Sequence, residues 1–249
     1  MQKLKNQNLR WRLKKYNMKE NIVVIIPARG GSKGIPRKNL KLLKGKPLLA
    51  YPIEEALKVP DVSRIIVSTD DSEIAEVAKE YGAEVPFIRP EELSGDTVLT
   101  TPVLQHTVDW LKEHENFETD IVILLYATSP LLTSDKIQEG IDKIKNNLEV
   151  DSVVSGCKDD KYHWEIKENE VKRFYPDRIM YRQEMNPLFR ENGALYIIRS
   201  KKMKETGNYI GGKIKHVFMD EKESWDIDEE ADFEIVEALL RKRDIMKVF

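Results

Sequence analysis

Two short stretches carry the residue types from which phosphate chemistry is built. The first is Ala28-Arg29-Gly30-Gly31-Ser32-Lys33-Gly34-Ile35-Pro36-Arg37-Lys38-Asn39, which directly follows the apolar run Asn21–Pro27. Gly30, Gly31 and Gly34 let the backbone turn tightly and aim several N–H groups inward, a nest that receives anions. Arg29, Lys33, Arg37 and Lys38 surround that nest with cations, as a polyphosphate requires. Two common phosphate motifs do not fit. Gly45-Lys46 is followed by Pro47 and position 40 is Leu, so there is no G-x-x-x-x-G-K-[ST]; glycines at 30, 31 and 34 do not give G-x-G-x-x-G either. The plain alternative is a flexible basic turn, against which stand the dense charge and the strand before it.

The second stretch is Ser224-Trp225-Asp226-Ile227-Asp228. In an extended backbone its two carboxylates face one side and Ile227 the other. Paired oxygen donors suit Mg²⁺, which keeps several waters and shares phosphate oxygens with its substrate. An acidic turn ahead of a helix, with Asp228 capping Glu229 onward, uses the same residues. A phosphate loop in the same chain favours the metal, because phosphates, cations and a divalent ion are the parts of a phosphoryl-type transfer.

A mostly parallel α/β sheet would position both stretches. Asn21–Pro27 is a β-branched run of the kind buried on both faces of such a sheet. Similar runs recur at Arg64–Thr69, Asp120–Leu125, Ser152–Ser155, Ala194–Ile198 and Lys215–Met219. Helical periods lie between them at Leu48–Leu57, Asp71–Tyr81, Pro102–Lys112, Ser134–Ile144 and Glu229–Leu240. The alternation predicts a three-layer α/β/α, Rossmann-like domain spanning 21–249. Ligands of such sheets sit beyond the carboxyl ends of the strands, where the glycine loop falls. Between 158 and 190 the alternation breaks into a polar, aromatic-rich stretch too long for an ordinary loop, which predicts an inserted arm, lid or dimer contact.

Composition narrows the class. At 249 residues, with 41% hydrophobic and 34% charged side chains, the chain has material for one large core and is not a disordered polymer. Its one cysteine, Cys157, excludes an intramolecular disulfide framework and a cysteine-rich zinc ribbon. The longest apolar run, Ile22–Ala28, falls far short of the ~20 residues that span a bilayer. A soluble, cytoplasmic protein with no membrane role is therefore expected. Residues 1–20 hold seven basic side chains and Glu20, a local charge of +6, so the remainder carries −8 of the net −2. A body that acidic is a poor nucleic-acid binder. The tail reads as disordered, or as sequence upstream of a start at Met18; the other reading is a basic arm that touches anionic partners.

Six ordered motifs carry a resemblance: IIPARGGSKGIPRKNL (25–40), IIVSTDDSEIAEVAKEYGAEV (65–85), RPEELSGDT (89–97), ATSPL (127–131), FRENGALYI (189–197) and WDIDEEADF (225–233). With them the chain resembles the acylneuraminate cytidylyltransferases, the CMP-sialic acid synthetase family, from about Ile22 to the last helix. The resemblance implies a Mg²⁺-dependent homodimer that joins CTP to a nine-carbon 2-keto sugar acid and releases pyrophosphate. It implies that Arg29, Gly30, Gly31, Ser32 and Lys38 hold the triphosphate, and that Arg89 and Thr100, with Asp96 nearby, read cytosine. Asp226 and Asp228 match the metal ligands. Arg182, Arg190, Asn192 and Tyr196 match the sugar side. Arg29, Lys38, Asp226 and Asp228 would carry the catalysis, and a metal-bound water or Asp226 would take the hydroxyl proton. Where the family often has L-Q-x-T-S-P, this chain has Leu125-Tyr126-Ala127-Thr128-Ser129-Pro130, so Tyr126 would reshape the sugar pocket. Legionaminic and pseudaminic acids thus stand beside neuraminic acid. Further alternatives are an enzyme for another sugar, such as 3-deoxy-manno-octulosonate or a sugar 1-phosphate, and a non-catalytic nucleotide-binding module.

The remaining candidates carry less. His106, His114, His163 and His216 are scattered with no metal spacing, although His163 beside Trp164 could meet a sugar. Cys157 lacks a base partner for nucleophilic work.

Overall fold

A computed structural model describes residues 20–31 and 34–246. The basic residues of the tail, Ser32 and Lys33 lie outside the described residues. In chain order the elements are β1 (Ile22–Pro27), a small hairpin of β2 (Leu42–Leu43) and β3 (Lys46–Pro47), α1 (Ala50–Leu57), β4 (Arg64–Ser68), α2 (Ser72–Glu80), α3 (Thr100–Glu115), β5 (Ile121–Leu125) and α4 (Ser134–Lys145). There follow β6 (Ser152–Asp159), β7 (His163–Lys167), β8 (Glu170–Tyr175), β9 (Leu188–Arg199), α5 (Ser200–Thr206), β10 (Ile214–Phe218) and α6 (Glu230–Met246).

The main sheet has the order β10-β6-β9-β5-β1-β4. β1 pairs in parallel with β4 and β5, and β10 in parallel with β6. β9 runs antiparallel between β5 and β6. The expected three-layer α/β/α arrangement is present. β1 shows why: Ile22, Val24 and Ile26 face one core, Val23 and Ile25 the other, so each β-branched side chain is buried whichever way the pleat turns it. Ile53 of α1, Ile74 of α2, Ile137 of α4 and Val236 of α6 close the first core; Leu104 of α3 and Met203 of α5 close the second.

Several expectations needed adjusting. The strands foreseen at 152–155 and 194–198 are longer, because β6 and β9 continue pairing past the sheet out to Asp159↔Leu188. Residues 158–159 and 188–190 of the expected insertion therefore belong to a ladder. Beyond it β7 and β8 form a separate hairpin, so the insertion is an arm. A Cβ at Gly156 would lie 2.4 Å from both the Arg190 carbonyl oxygen and the Phe189 ring, at the irregularity between Val154 and Gly156; glycine is what lets the two strands approach there. α5 was not foreseen. It has seven residues with Met203 as its buried apolar side chain, too little for a periodic signal. Ser224–Asp228 is not a strand, and no ladder pairs it.

Asp71 ties the first loop to the sheet. Its carboxylate caps α2 by accepting the Ile74 N–H at 3.0 Å and also pairs with Arg37. Arg37 sits in the left-handed region (φ 55°) and reaches Glu73 too. The hydrogen bond from Arg37 holds the Asp71 carboxyl below the usual carboxylate range, and the Ile74 amide adds to this. Arg37 is thus spent on α2 rather than on the anion nest, contrary to the sequence expectation. Asp71→Ala should cost about 1 kcal/mol, the usual worth of such a cap, or roughly 2–4 °C in Tm. A carboxyl with a lowered folded pKa stabilises above the unfolded value and loses that contribution as pH falls through the folded one. The gap between wild type and variant, followed by thermal melts, should be complete at pH 7 and close below about pH 4.

Candidate active site

The carboxyl end of β1 meets that of β5 where the chain switches from one side of β1 to the other, the position at which open α/β sheets bind ligands. A cleft of 490 Å³ opens there, lined by Arg29, Lys38, Arg89, Thr100, Tyr126 and Asp228 among others. Residues far apart in sequence, from the glycine loop, the 89–97 motif, the start of α3, the end of β5 and the acidic segment, are brought to this one place.

The glycine loop enters from β1. Asn39 Nδ2 donates to the Arg29 carbonyl at 3.1 Å and braces the loop from within. The Gly30 N–H donates to Asp70 Oδ1 at 3.0 Å, and Arg29 Nη1 lies 2.5 Å from Asp96 Oδ1. A Cβ on Gly30 would fall 2.6 Å from Asp71 Oδ2, whereas one on Gly31 would meet nothing within 4 Å. Lys38 crosses to the acidic segment: its Nζ donates to the Ile227 carbonyl at 2.7 Å and stands 3.6 Å from Asp228 Oδ1.

The acidic segment keeps the expected alternation without being a strand. Ile227 is wholly buried, and its N–H donates to the Thr128 carbonyl at 2.9 Å. Asp228 faces the cleft. Asp226 lies half-buried behind it, accepting from Ser129 Oγ at 3.0 Å. Burial pushes the Asp226 carboxyl above the usual range; bonds from Thr128 and Ser129 oppose this, and Asp228 adds to the rise. The helix-capping alternative falls to another residue: Asp232 Oδ2 accepts the N–H groups of Asp228 and Glu229 at 2.9 and 2.8 Å, so the Asp228 side chain is not used as a cap. Asp226 and Asp228 offer two hard oxygen ligands, and no cluster of three or more acidic, His or Cys side chains suited to a metal exists among the described residues. That donor set suits an ion which completes its shell with water and substrate oxygens, not one held in an all-protein cage.

On the far wall Arg89 is 5% exposed, with Nε donating to Ser94 Oγ at 3.2 Å and Nη2 3.5 Å from Asp70 Oδ1. Thr100 Oγ1 and Tyr126 OH are hydrogen-bonded at 2.8 Å. Burial pushes the Tyr126 phenol up to about 12, so it stays protonated near neutral pH. Its ring meets Tyr196 edge to face, and Tyr196 meets Tyr209 in the same way, with its hydroxyl held by Glu191. Tyr196 therefore backs the wall rather than lining the cleft.

The other sugar-side candidates do not converge here. Asn192 is 7% exposed and fully occupied: it accepts from Ser155 Oγ at 2.6 Å and donates to Ser224 Oγ at 2.9 Å, joining β6, β9 and the turn before the acidic segment. Arg182 pairs with Asp160 on the arm, and Arg190 lies 3.6 Å from Asp159 at its base. Sequence reasoning gave no role to Asp70, Asn39 or Ser129. A signal existed for Asp70, which follows β4, the parallel neighbour of β1, so its side chain must fall beside the glycine loop.

Fold and cleft together define a Rossmann-like α/β protein with Arg29, Lys38, Arg89 and Asp228 gathered at one strand-end crevice. The family model described as Cytidylyltransferase matches residues 23–246, and the chain belongs to that family. It is 36% identical over 228 residues to a CMP-N,N'-diacetyllegionaminic acid synthase of Legionella pneumophila, covering 88% of this chain and 96% of that one. It is 32% identical over 235 residues to an N-acylneuraminate cytidylyltransferase of Escherichia coli, covering 93% of this chain and 55% of that one. A solved CMP:2-keto-3-deoxy-manno-octonic acid synthetase complexed with CTP has the same fold, with a TM-score of 0.67 and 18% identity over 90% of this chain and all of that one.

Gly30 and Gly31 give a contrast that tests the loop geometry. Gly30→Ala must push against an Asp71 already held by Arg37 and Ile74, and should cost about 1–3 kcal/mol, as overpacking does. Gly31→Ala should leave the melting temperature unchanged. Thermal melts of the two variants check both.

Proposed function

We propose that the chain transfers CMP from CTP to a nine-carbon 2-keto sugar acid of the sialic, legionaminic or pseudaminic kind and releases pyrophosphate. The observation that carries this is the convergence of Arg29, Lys38 and Asp228 on one cleft. The names of the two relatives, a CMP-N,N'-diacetyllegionaminic acid synthase and an N-acylneuraminate cytidylyltransferase, support the choice of substrate.

In this reaction the anomeric hydroxyl of the sugar gives its proton to Asp226 or to a water and its oxygen bonds to the α-phosphorus, while the bond from that phosphorus to the bridging oxygen of pyrophosphate breaks. Negative charge gathers on the leaving group. Arg29 and Lys38 meet it with donors already in place, and a preorganised donor of this type is typically worth ~2.7–4 kcal/mol in the transition state. Lys38 is fixed by the Ile227 carbonyl and needs little reordering to act. Asp226 and Asp228 would hold Mg²⁺, whose contribution when bound is to neutralise phosphate oxygens. Arg89, buried and braced by Asp70 and Ser94, fits the reading of a base edge. Tyr126, fixed by Thr100 and packed on Tyr196, gives the sugar side an aromatic wall. The homodimer belongs to the same reading, because the arm exposes Trp164, Ile166, Phe174, Ile179 and Tyr181, a surface that a second copy would cover. A cytoplasmic location suits these substrates, and no helix among the described residues is long and apolar enough to cross a membrane.

Pyrophosphate release should be measured with CTP against ATP, GTP and UTP. The sugar panel should contain N-acetylneuraminic, legionaminic and pseudaminic acids and 3-deoxy-manno-octulosonate, with and without chelator. Release is expected with CTP and a nine-carbon acid, lost on chelation and lost in Asp228→Ala at unchanged melting temperature. Release with the eight-carbon acid alone would move the sugar assignment. CTP binding with no release from any sugar would replace the enzyme by a nucleotide-binding module.

A further inference from the structure

The groups that would receive a triphosphate are already partnered by carboxylates of the chain. Asp70 accepts the Gly30 N–H, Asp228 stands beside Lys38, and Asp96 pairs with Arg29. The first two are built into the body of the site. Asp70 follows β4 directly and also faces buried Arg89, and Asp228 adjoins Ile227, which is locked in the core.

Asp96 is placed differently. It lies on a strap over residues 91–99, which begins after Arg89 and ends at the first turn of α3. Leu93, Gly95, Asp96 and Val98 of this strap line the cleft. Asp96 itself is exposed, and Leu99 is 76% exposed. A strap with so little buried apolar surface can move at low cost. Asp96 can therefore leave Arg29 without opening the core, which Asp70 and Asp228 cannot.

Charge decides what it does. Asp96 and a phosphate oxygen seek the same guanidinium, and a carboxylate left against a bound polyphosphate would be repelled by it. Before a nucleotide arrives, the same pairing spares Arg29 the cost of a half-buried, unmatched charge. We infer that Asp96 is a stand-in anion: it holds Arg29 at its phosphate-binding position, gives way to the phosphates of the incoming nucleotide, and so sets the affinity of the cleft. Asp96 is thus a positioning residue whose carboxylate opposes binding. This inference rests on the nucleotide reading above.

The test is calorimetric titration of the full chain, without sugar, using CTP and inorganic triphosphate as probes. Removing a competing pair of this exposure should tighten both by about 2–5-fold in Asp96→Asn and in Asp96→Ala, at unchanged melting temperature. The gain should shrink as salt is raised, since part-exposed charges are screened. In an Arg29→Ala background Asp96→Asn should bring little or no gain, because the exchange acts through Arg29. Equal or weaker binding by the Asp96 variants would overturn the inference and make Asp96 a brace that stays on Arg29. A gain just as large without Arg29 would overturn it too, by reducing the effect to simple repulsion. If wild type binds neither probe, the nucleotide reading falls and this inference falls with it.

Discussion

Lys38 joins parts of the chain 189 residues apart through one hydrogen bond, from its ammonium to the Ile227 carbonyl. A charge-assisted bond of this kind to a sheltered acceptor is worth about 1.5–3 kcal/mol, more than the ~0–1 kcal/mol of an exposed ion pair. The choice of acceptor matters as much as the strength. By bonding to backbone, Lys38 holds the acidic segment in place while standing 3.6 Å from the Asp228 carboxylate, short of a direct hydrogen bond. Ile227 secures the other side, since it is wholly buried and its N–H is taken by Thr128. A two-residue alternation of carboxylates is thus imposed without a sheet, by one buried side chain, one backbone bond to Thr128 and one bond from the Lys38 ammonium.

The same economy governs the cations. Each basic side chain described at or beside the glycine loop has an acidic neighbour: Arg29 has Asp96, Arg37 has Asp71 and Glu73, and Lys38 has Asp228. Opposite them, Arg89 has Asp70. A cleft lined by Arg29, Lys38 and Arg89 would otherwise hold unmatched positive charges, which is costly at partial burial. The acids fall into two groups. Asp71 and Glu73 draw Arg37 away from the cleft and fix the loop to α2. Asp70, Asp96 and Asp228 stay within reach of the cleft and hold its donors in position.

The sequence showed the scaffold more clearly than the pairing. β1, β4 and β5 are short β-branched runs buried on both faces, so composition alone marks them. The glycine loop and the two aspartates are dense local signals. What escaped was set by distance in sequence. Nothing local to Arg37 says that it turns toward Asp71, and nothing local to Asp70 says that it takes the Gly30 amide; both follow from β4 lying beside β1. The antiparallel course of β9 was equally hidden, because burial of alternate residues reads the same in either direction. Asn192 looked like a ligand-facing polar residue, yet its amide is consumed by Ser155 and Ser224. Asp226 and Asp228 were legible as a pair but not as a strand, for the alternation they share with one has another cause.

β9 has a mechanical consequence. Its twelve residues run from the root of the arm to the middle of the main sheet, but they are interrupted where the pairing with β6 shifts between Val154 and Gly156 and Gly193 takes a φ of 74°. Arg190 stands near one end and Tyr196, which backs Tyr126, further along. Sliding the inner half, which pairs regularly with β5, by a single position would turn its side chains to the opposite face and strip Tyr196 from its neighbours. The irregularity thus separates the arm end of the strand from Tyr196, whose own register is fixed from both sides by β5 and β6.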